Sequence, residues 1–311
     1  MTGKKIAILA TGGTLAGKAV SARDNVGYAA AQLGIDELLA AIPLLKGLPL
    51  LAEQVAQVDS KDMTLAIWRE PALRCDHWLA QEEVAGIVIT HGTDTLEETA
   101  YFLQAVLAPA KPVVLTCAMR PATALAPDGP QNILDAVTVA MAEGAQGVTA
   151  VCAGVIHGAQ DVAKLHTYRL DAFSSGDAGA IGYVEEGQLR LLRPWPPGSP
   201  ARPAALRKFA DASEWPRVEI VTSHAGAGSG VVDALVARGI DGLVVAATGN
   251  GTVHSELEAA LVAARAAGVK VVRATRCAQG RVLARPDDVL PHAAGLSPVK
   301  ARIALLLDLL G

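Results

Sequence analysis

Cysteine is scarce in this chain. There are four in 311 residues, Cys75, Cys117, Cys152 and Cys277, and no two stand as C-x-x-C. That excludes a zinc knuckle and a thioredoxin-like motif. So few thiols read as small buried hydrophobes in a reducing compartment. Basic charge is not in excess either: 27 Lys and Arg face 31 Asp and Glu, a net charge of −4. A protein that grips a phosphate backbone is usually basic, so no nucleic-acid partner is expected. Mean hydropathy is +0.33, yet no run approaches the ~18 uncharged apolar residues of a membrane span, and no membrane partner is expected. Lys4 and Lys5 precede the apolar stretch Ile6–Ala10, which is shorter than the ~7–15 residues of a signal-peptide core. It reads as a buried first strand, and the expected location is the cytoplasm. No His- or carboxylate-rich cluster has metal-ligand spacing, so no metal is expected. The G-x-S-x-G elbow of serine α/β-hydrolases is missing too.

What is present is a large apolar fraction, 51%, with only 19% charged residues, a composition that excludes disorder over the whole chain. The length favours two domains, or one large α/β domain with an appendage. Short β-branched runs at Ile6–Ala10, Val55–Val58, Gly86–Thr90, Val113–Thr116 and Val148–Val155 read as strands. Helix-period patterns lie between them at Ile35–Ile42, Leu96–Leu107 and Ile133–Ala142. Alternating β and α predicts a mostly parallel sheet with helices on both faces. The run Arg193-Pro194-Trp195-Pro196-Pro197-Gly198-Ser199-Pro200 interrupts this order. It can be neither a central strand nor a helix. The alternation then resumes, with strands at Val218–Val221, Gly242–Ala246 and Val269–Val272 and helices at Val231–Ala237, Val253–Ala267 and Lys300–Leu310. The expected organisation is an α/β large N-terminal domain, 1–190, carrying the active site, a proline-rich linker, 191–214, and a smaller C-terminal α/β domain, 215–311.

Ligands of open α/β sheets gather beyond the carboxyl ends of the strands, and the polar turns fall there. Ala10-Thr11-Gly12-Gly13-Thr14-Leu15-Ala16-Gly17 follows strand one. Its glycines suit a sharp turn and close approach to a ligand. They do not meet the dinucleotide spacing G-x-G-x-x-G, and no cofactor is expected. Thr90-His91-Gly92-Thr93-Asp94-Thr95 follows another strand and opens a helix. Thr95 and Glu98 match a capping box, which leaves His91 and Thr93 unexplained; a lone turn histidine is more often structural than catalytic. A hydroxyl beside a carboxylate at a helix start can fix a small polar substrate. In Asp59-Ser60-Lys61-Asp62-Met63, Ser60 or Asp62 is the expected cap of the next helix. Asp161-Val162-Ala163-Lys164 offers an amine that could serve as base or electrostatic partner if drawn beside a threonine and an aspartate. In Gly249-Asn250-Gly251-Thr252, Thr252 is the expected N-cap of the following helix.

At Thr11-Gly12-Gly13-Thr14 and His91-Gly92-Thr93-Asp94-Thr95, in this order and separation, the chain resembles the bacterial L-asparaginase family, which includes glutaminase–asparaginases. Further matches lie at Glu97–Leu103, Ala118-Met119-Arg120-Pro121, Asp128-Gly129-Pro130, Asp161–Lys164, Gly249–Gly251 and Lys300-Ala301-Arg302, so the likeness spans nearly the whole chain. The resemblance implies hydrolysis of the side-chain amide of L-asparagine by a threonine nucleophile, at Thr14. It implies a tyrosine partner, Tyr28, in a mobile loop, and a second triad of Thr93, Asp94 and Lys164. Ser60 and Asp94 would hold the substrate's α-carboxylate and α-amine. Gly13 and the backbone around Thr93 and Ala118 would line the amide and its oxyanion. It further implies a homotetramer of tight dimers, each site completed by the neighbour's small domain. Attack by Thr14 through an acyl-enzyme and direct addition of water both fit these residues.

Two departures stand out. Lys61 lies beside the substrate-binding Ser60, where relatives carry an uncharged or acidic residue, and a cation there would repel the substrate ammonium unless it points away. Arg276–Gly295 holds no glutamate of the kind relatives supply to the neighbouring site; Asp287 or Asp288 is the candidate replacement, and Thr252 another residue that could reach that site. Competing readings are a broader glutaminase-asparaginase, a non-catalytic amino-acid sensor and a nucleotide-binding reductase.

Overall fold

The computed structural model describes residues 3–199 and 204–311. The chain forms two compact units, divided between Leu206 and Arg207. The first runs β1 (Lys5–Gly12), α1 (Ile35–Ala40), β2 (Leu50–Val58), α2 (Leu65–Leu79), β3 (Val84–Thr90), α3 (Leu96–Leu107), β4 (Pro112–Thr116), α4 (Gly129–Ala140) and β5 (Gly147–Cys152). Short strands follow: β6 (Val155–Gly158), β7 (Ala163–Lys164), β8 (Phe173–Ser174), β9 (Gly182–Glu185) and β10 (Gln188–Leu191). Helix α5 (Ala204–Asp211) contains the division between the units and falls inside the span 191–214 expected as a linker, of which residues 200–203 lie outside the described residues.

Eight strands make one sheet in the order β10-β9-β6-β5-β4-β3-β1-β2. β2, β1, β3, β4 and β5 run parallel, and β6, β9 and β10 extend the sheet antiparallel. Side chains of a strand alternate between faces. Accordingly Ile6, Ile8, Val88 and Val114 share one core with Leu38 of α1, with Ile42 just after it, and with Ile133 and Val137 of α4. Trp68 of α2 stacks on Phe102 of α3, ring centres 4.8 Å apart. After β1 the chain crosses to β2 on one side; after β2 it returns to β3 on the other. The connections leaving β1 and β3 therefore part, opening a crevice at the carboxyl ends of these two strands.

The second unit carries β11 (Val218–Thr222), α6 (Gly230–Ala237), β12 (Gly242–Ala247), α7 (Ser255–Ala266), β13 (Lys270–Thr275) and α8 (Pro298–Leu309). Its sheet is parallel, in the order β11-β12-β13.

Several local expectations are corrected. Val148–Val155 is not one strand but the hairpin β5–β6, turned at Ala153 and Gly154 with φ of 50° and 74°. Two consecutive positive φ values are what a tight hairpin turn requires, and alanine at the first gives little warning of it. Thr95 occupies the N-cap of α3 without a side-chain cap bond; its hydroxyl donates to the Ser60 carbonyl at 2.8 Å, so the capping box does not form. Neither Ser60 nor Asp62 caps α2. Thr64 does, accepting the Ile67 N–H at 3.2 Å. Thr252 does not cap α7 either. That helix starts after His254, and the Thr252 hydroxyl lies 2.8 Å from that of Thr248.

Candidate active site

The site is assembled by glycines. Gly12 and Gly13 leave β1 with φ of 107° and 83°, conformations that side-chain-bearing residues rarely adopt. A Cβ on Gly13 would fall 2.4 Å from the Gly92 nitrogen, and one on Gly92 would fall 2.4 Å from Ser60 Oγ. The turns after β1, β2 and β3 therefore touch through atoms that a larger residue would displace. A third contact comes from α4, where a Cβ on Gly129 would lie 3.1 Å from Leu15 Cγ and 3.5 Å from Ala118 Cβ. Gly13, Thr14, Ser60, Gly92, Thr93 and Ala118 are thus brought to one end of the sheet.

Thr14 is buried, and its hydroxyl lies 2.5 Å from the Tyr28 hydroxyl. Tyr28 sits in the long connection from β1 to α1. Lys18 and Ala29 close that connection by exchanging backbone hydrogen bonds, and Ala122 N–H and Leu125 N–H donate to the Gly17 and Ala22 carbonyls. Burial raises the Tyr28 phenol pKa, the bond to Thr14 opposes that rise, and the carboxylates of Asp59 and Asp94 add to it. A phenol shifted upward stays protonated at neutral pH. Tyr28 is therefore suited to passing a hydrogen bond rather than to standing as a phenolate.

Across the crevice, the Lys164 ammonium donates to Thr93 Oγ1 at 2.8 Å and to Asp94 Oδ1 at 2.6 Å, while Thr93 Oγ1 also donates to Asp94 at 3.4 Å. Lys164 is held by the β7–β8 pairing, and its backbone N–H donates to Glu97 of α3 at 3.2 Å. Asp94 N–H donates to Ser60 Oγ at 3.1 Å. This arrangement can bind a small zwitterion and deliver a hydroxyl and an ammonium to a carbonyl group. No group of three or more His, Cys, Asp or Glu side chains that could hold a metal ion exists among the described residues.

His91 is fully buried and its role is structural. Its Nδ1 lies 2.7 Å from the Gly92 carbonyl, which can only accept, so Nδ1 carries the hydrogen. Nε2 must then accept from the Thr99 hydroxyl at 2.9 Å, and that hydroxyl accepts from Trp68 Nε1 at 2.9 Å. Burial pushes the imidazole down to about 4.

A family model for the asparaginase N-terminal domain matches residues 5–197, and one for the glutaminase/asparaginase C-terminal domain matches 217–310. The chain belongs to the asparaginase family. It is 37% identical to L-asparaginase 2 of Bacillus subtilis over 98% of this chain and 82% of that protein. It is also 37% identical to L-asparaginase 2 of Escherichia coli, over 98% and 88%. The glutaminase-asparaginase of Pseudomonas fluorescens is 36% identical over 98% and 86%. Among solved structures, a probable cytoplasmic L-asparaginase from Campylobacter jejuni matches with a TM-score of 0.91 and 38% identity, covering 98% of this chain and 95% of that one. The protein is accordingly a hydrolase acting on amides, which displaces the sensor and reductase readings.

Lys61, Asp287 and Asp288, singled out in the sequence, each have charged partners close by. The Lys61 ammonium is exposed, 2.5 Å from Asp62 and 3.6 Å from Asp59. Its pKa is raised, chiefly by the bond to Asp62. Within the second unit, Asp288 pairs with Arg273 and accepts the Arg285 N–H, and Asp287 is an exposed partner of Arg285 at 3.4 Å. No helix among the described residues is long and apolar enough to cross a membrane.

Proposed function

We propose that this protein hydrolyses the side-chain amide of L-asparagine to L-aspartate and ammonia, with Thr14 as nucleophile. The observation that carries the reading is the crevice itself. Thr14 with Tyr28 comes from β1, and Thr93 and Asp94 come from β3 with Lys164 beside them; the two turns meet through Gly13 and Gly92. Ser60 and Asp94 take the α-carboxylate and α-ammonium. Lys61, paired with its acidic neighbours, stays clear of that ammonium.

A threonine hydroxyl attacks only when its proton is removed. As Thr14 Oγ1 bonds to the carboxamide carbon, its proton passes along the hydrogen bond to the protonated Tyr28 hydroxyl, which gives its own hydrogen toward the amide nitrogen in the same step. The carbonyl oxygen gains the negative charge, which backbone N–H groups near Thr93 and Ala118 oppose; one well-placed donor is worth ~3–4 kcal/mol. The C–N bond breaks, the nitrogen takes a proton and leaves as ammonia, and Thr14 holds a β-aspartyl ester. Water hydrogen-bonded at Thr93, which the Lys164 ammonium polarises, then attacks that ester; its proton returns through Tyr28 to the departing Thr14 oxygen, releasing aspartate and restoring the hydroxyl.

Ammonia release from L-asparagine by wild type and Thr14→Ala tests the reading. Loss of at least about a thousandfold in kcat is expected for removal of a nucleophile; an alanine variant keeping most of the activity removes Thr14 from the role. Glutaminase-asparaginases among the relatives make L-glutamine a second substrate, and the expectation is that it is the poorer one. The reading also takes the protein as a cytoplasmic homotetramer, a dimer of dimers whose sites are completed by a neighbouring subunit. Mass photometry at working concentration checks the assembly.

A further inference from the structure

Asp128 stands at the N-cap of α4 but its side chain makes no capping bond to that helix's backbone, although an N-cap aspartate usually accepts one of the helix's first free N–H groups. Its carboxylate is used elsewhere. Oδ2 accepts the Met119 N–H at 2.9 Å and Oδ1 accepts the Arg120 N–H at 3.0 Å. One turn along α4, the buried Asn132 donates through Nδ2 to the Cys117 carbonyl at 2.9 Å and to Asp128 Oδ2 at 3.3 Å. Its Oδ1 accepts the Ala153 N–H at 3.0 Å, which ties the assembly to the end of β5. Two side chains of α4 thus grip the peptide groups on either side of Ala118.

No cis peptide bond occurs among the described residues, and in a trans peptide N–H and C=O point in opposite directions. The Cys117 carbonyl is held toward α4, so the Ala118 N–H is turned away from it. The Met119 N–H is likewise held toward α4, so the Ala118 carbonyl is turned away too. Ala118 is 1% exposed, and neither group has a hydrogen-bond partner among the described residues. Buried peptide groups in native proteins are nearly always paired. A donor and an acceptor on one residue, buried, unpaired and facing the same way, form the complement of a primary carboxamide, which offers one acceptor and two N–H donors. Ala118 packs with Leu15 on Gly129, next in sequence to Thr14.

We propose that Asp128 and Asn132 are positioning residues whose clamp fixes the Ala118 N–H and C=O as a donor–acceptor pair for the substrate carboxamide. The inference rests on the asparagine amidohydrolase reading and adds a selectivity device to it. A carboxamide N–H satisfies the Ala118 carbonyl; a product carboxylate, having no hydrogen to donate, is repelled by that carbonyl and released.

The test compares L-asparagine with the β-methyl ester of L-aspartate, which keeps the acyl group but lacks the N–H, in wild type, Asp128→Ala, Asp128→Asn and Asn132→Ser. The clamp predicts that Asp128→Ala loses about 100-fold in kcat on the amide, within the span typical for misplaced catalytic groups, and at least tenfold less on the ester. Asp128→Asn, which keeps one carbonyl acceptor, falls between alanine and wild type. Thermal melting of each variant separates folding from positioning. If Asp128→Ala does not fold, Asp128→Asn and Asn132→Ser carry the amide-to-ester comparison. Equal losses on amide and ester, or losses that follow melting temperature alone, overturn the proposal. No ammonia from wild type overturns the functional reading and the clamp with it, whereas a competent wild type with equal losses in the variants overturns only the clamp.

Discussion

Gly13 and Gly92, 79 positions apart in the chain, meet backbone to backbone. A Cβ on Gly13 would lie 2.4 Å from both the Cα and the nitrogen of Gly92. That contact sets the distance between the two threonine-bearing turns, and Gly13 also needs its φ of 83°. Gly13→Ala is expected to lower stability by about 1–3 kcal/mol, the usual cost of overpacking. It should reduce kcat by at least about 100-fold, because displacements near 1 Å are that costly at a reacting centre. Melting temperature and ammonia release measured on the same preparation check both.

Lys164 donates to Thr93 and Asp94 at once. Lys164→Met is expected to lower kcat by about 100- to 10,000-fold, as removal of a positioned acid–base group does. Stability should move by no more than about 1 kcal/mol, since Asp94 is half exposed and such pairs are screened. Thr93→Val combined with Lys164→Met should cost little more than the worse single change, because residues acting as one unit are not additive. Fully multiplicative losses in a double-mutant cycle would count against their acting together.

Thr99 joins Trp68 to His91 without touching the reacting groups. Thr99→Val keeps the shape and strands the Trp68 N–H and His91 Nε2, each at about 1–3 kcal/mol for a buried unsatisfied group. Chemical denaturation should register the loss, while kcat at temperatures well below melting should stay within a few-fold of wild type.

Burial pushes His91 down to about 4. It does the same to His157, helped there by the Arg193 charge. An unfolded histidine titrates near 6.5, so between about pH 6.5 and 4 the unfolded chain binds more protons than the folded one. The stability tied to these two groups is complete above about pH 6.5 and is lost as pH falls toward 4, on the order of 3 kcal/mol for each. Denaturation at pH 7, 5.5 and 4.5 should show stability falling with pH. His157→Gln should flatten the fall, and an unchanged slope would remove His157 as its source.

Asparagine and glutamine differ by one methylene, a difference worth about 1–3 kcal/mol of transition-state binding, or roughly 10–200-fold in kcat/KM. The expected ratio favours asparagine. Parallel ammonia assays with both amides give it directly, and equal values would make the protein a glutaminase-asparaginase in practice.

Sequence alone determined the β–α alternation, the placement of Thr14, Ser60, Thr93 and Thr252 in turns after strands, and the family likeness. These are local matters: side-chain period and glycine at strand ends act over a few residues. The α2 pattern was harder to see because Pro71 lies inside the helix, and the β5–β6 turn was hidden by an alanine at positive φ. Tertiary structure alone decided that Thr95 bonds to Ser60 instead of capping α3, that His91 is locked between Gly92 and Thr99, and that Asp128 serves the segment after β4 rather than its own helix. A short polar side chain near a helix start has several partners within reach. Which one it takes depends on which distant strand end the sheet order sets beside it, and that order is fixed by the packing of the whole unit rather than by neighbours in the chain.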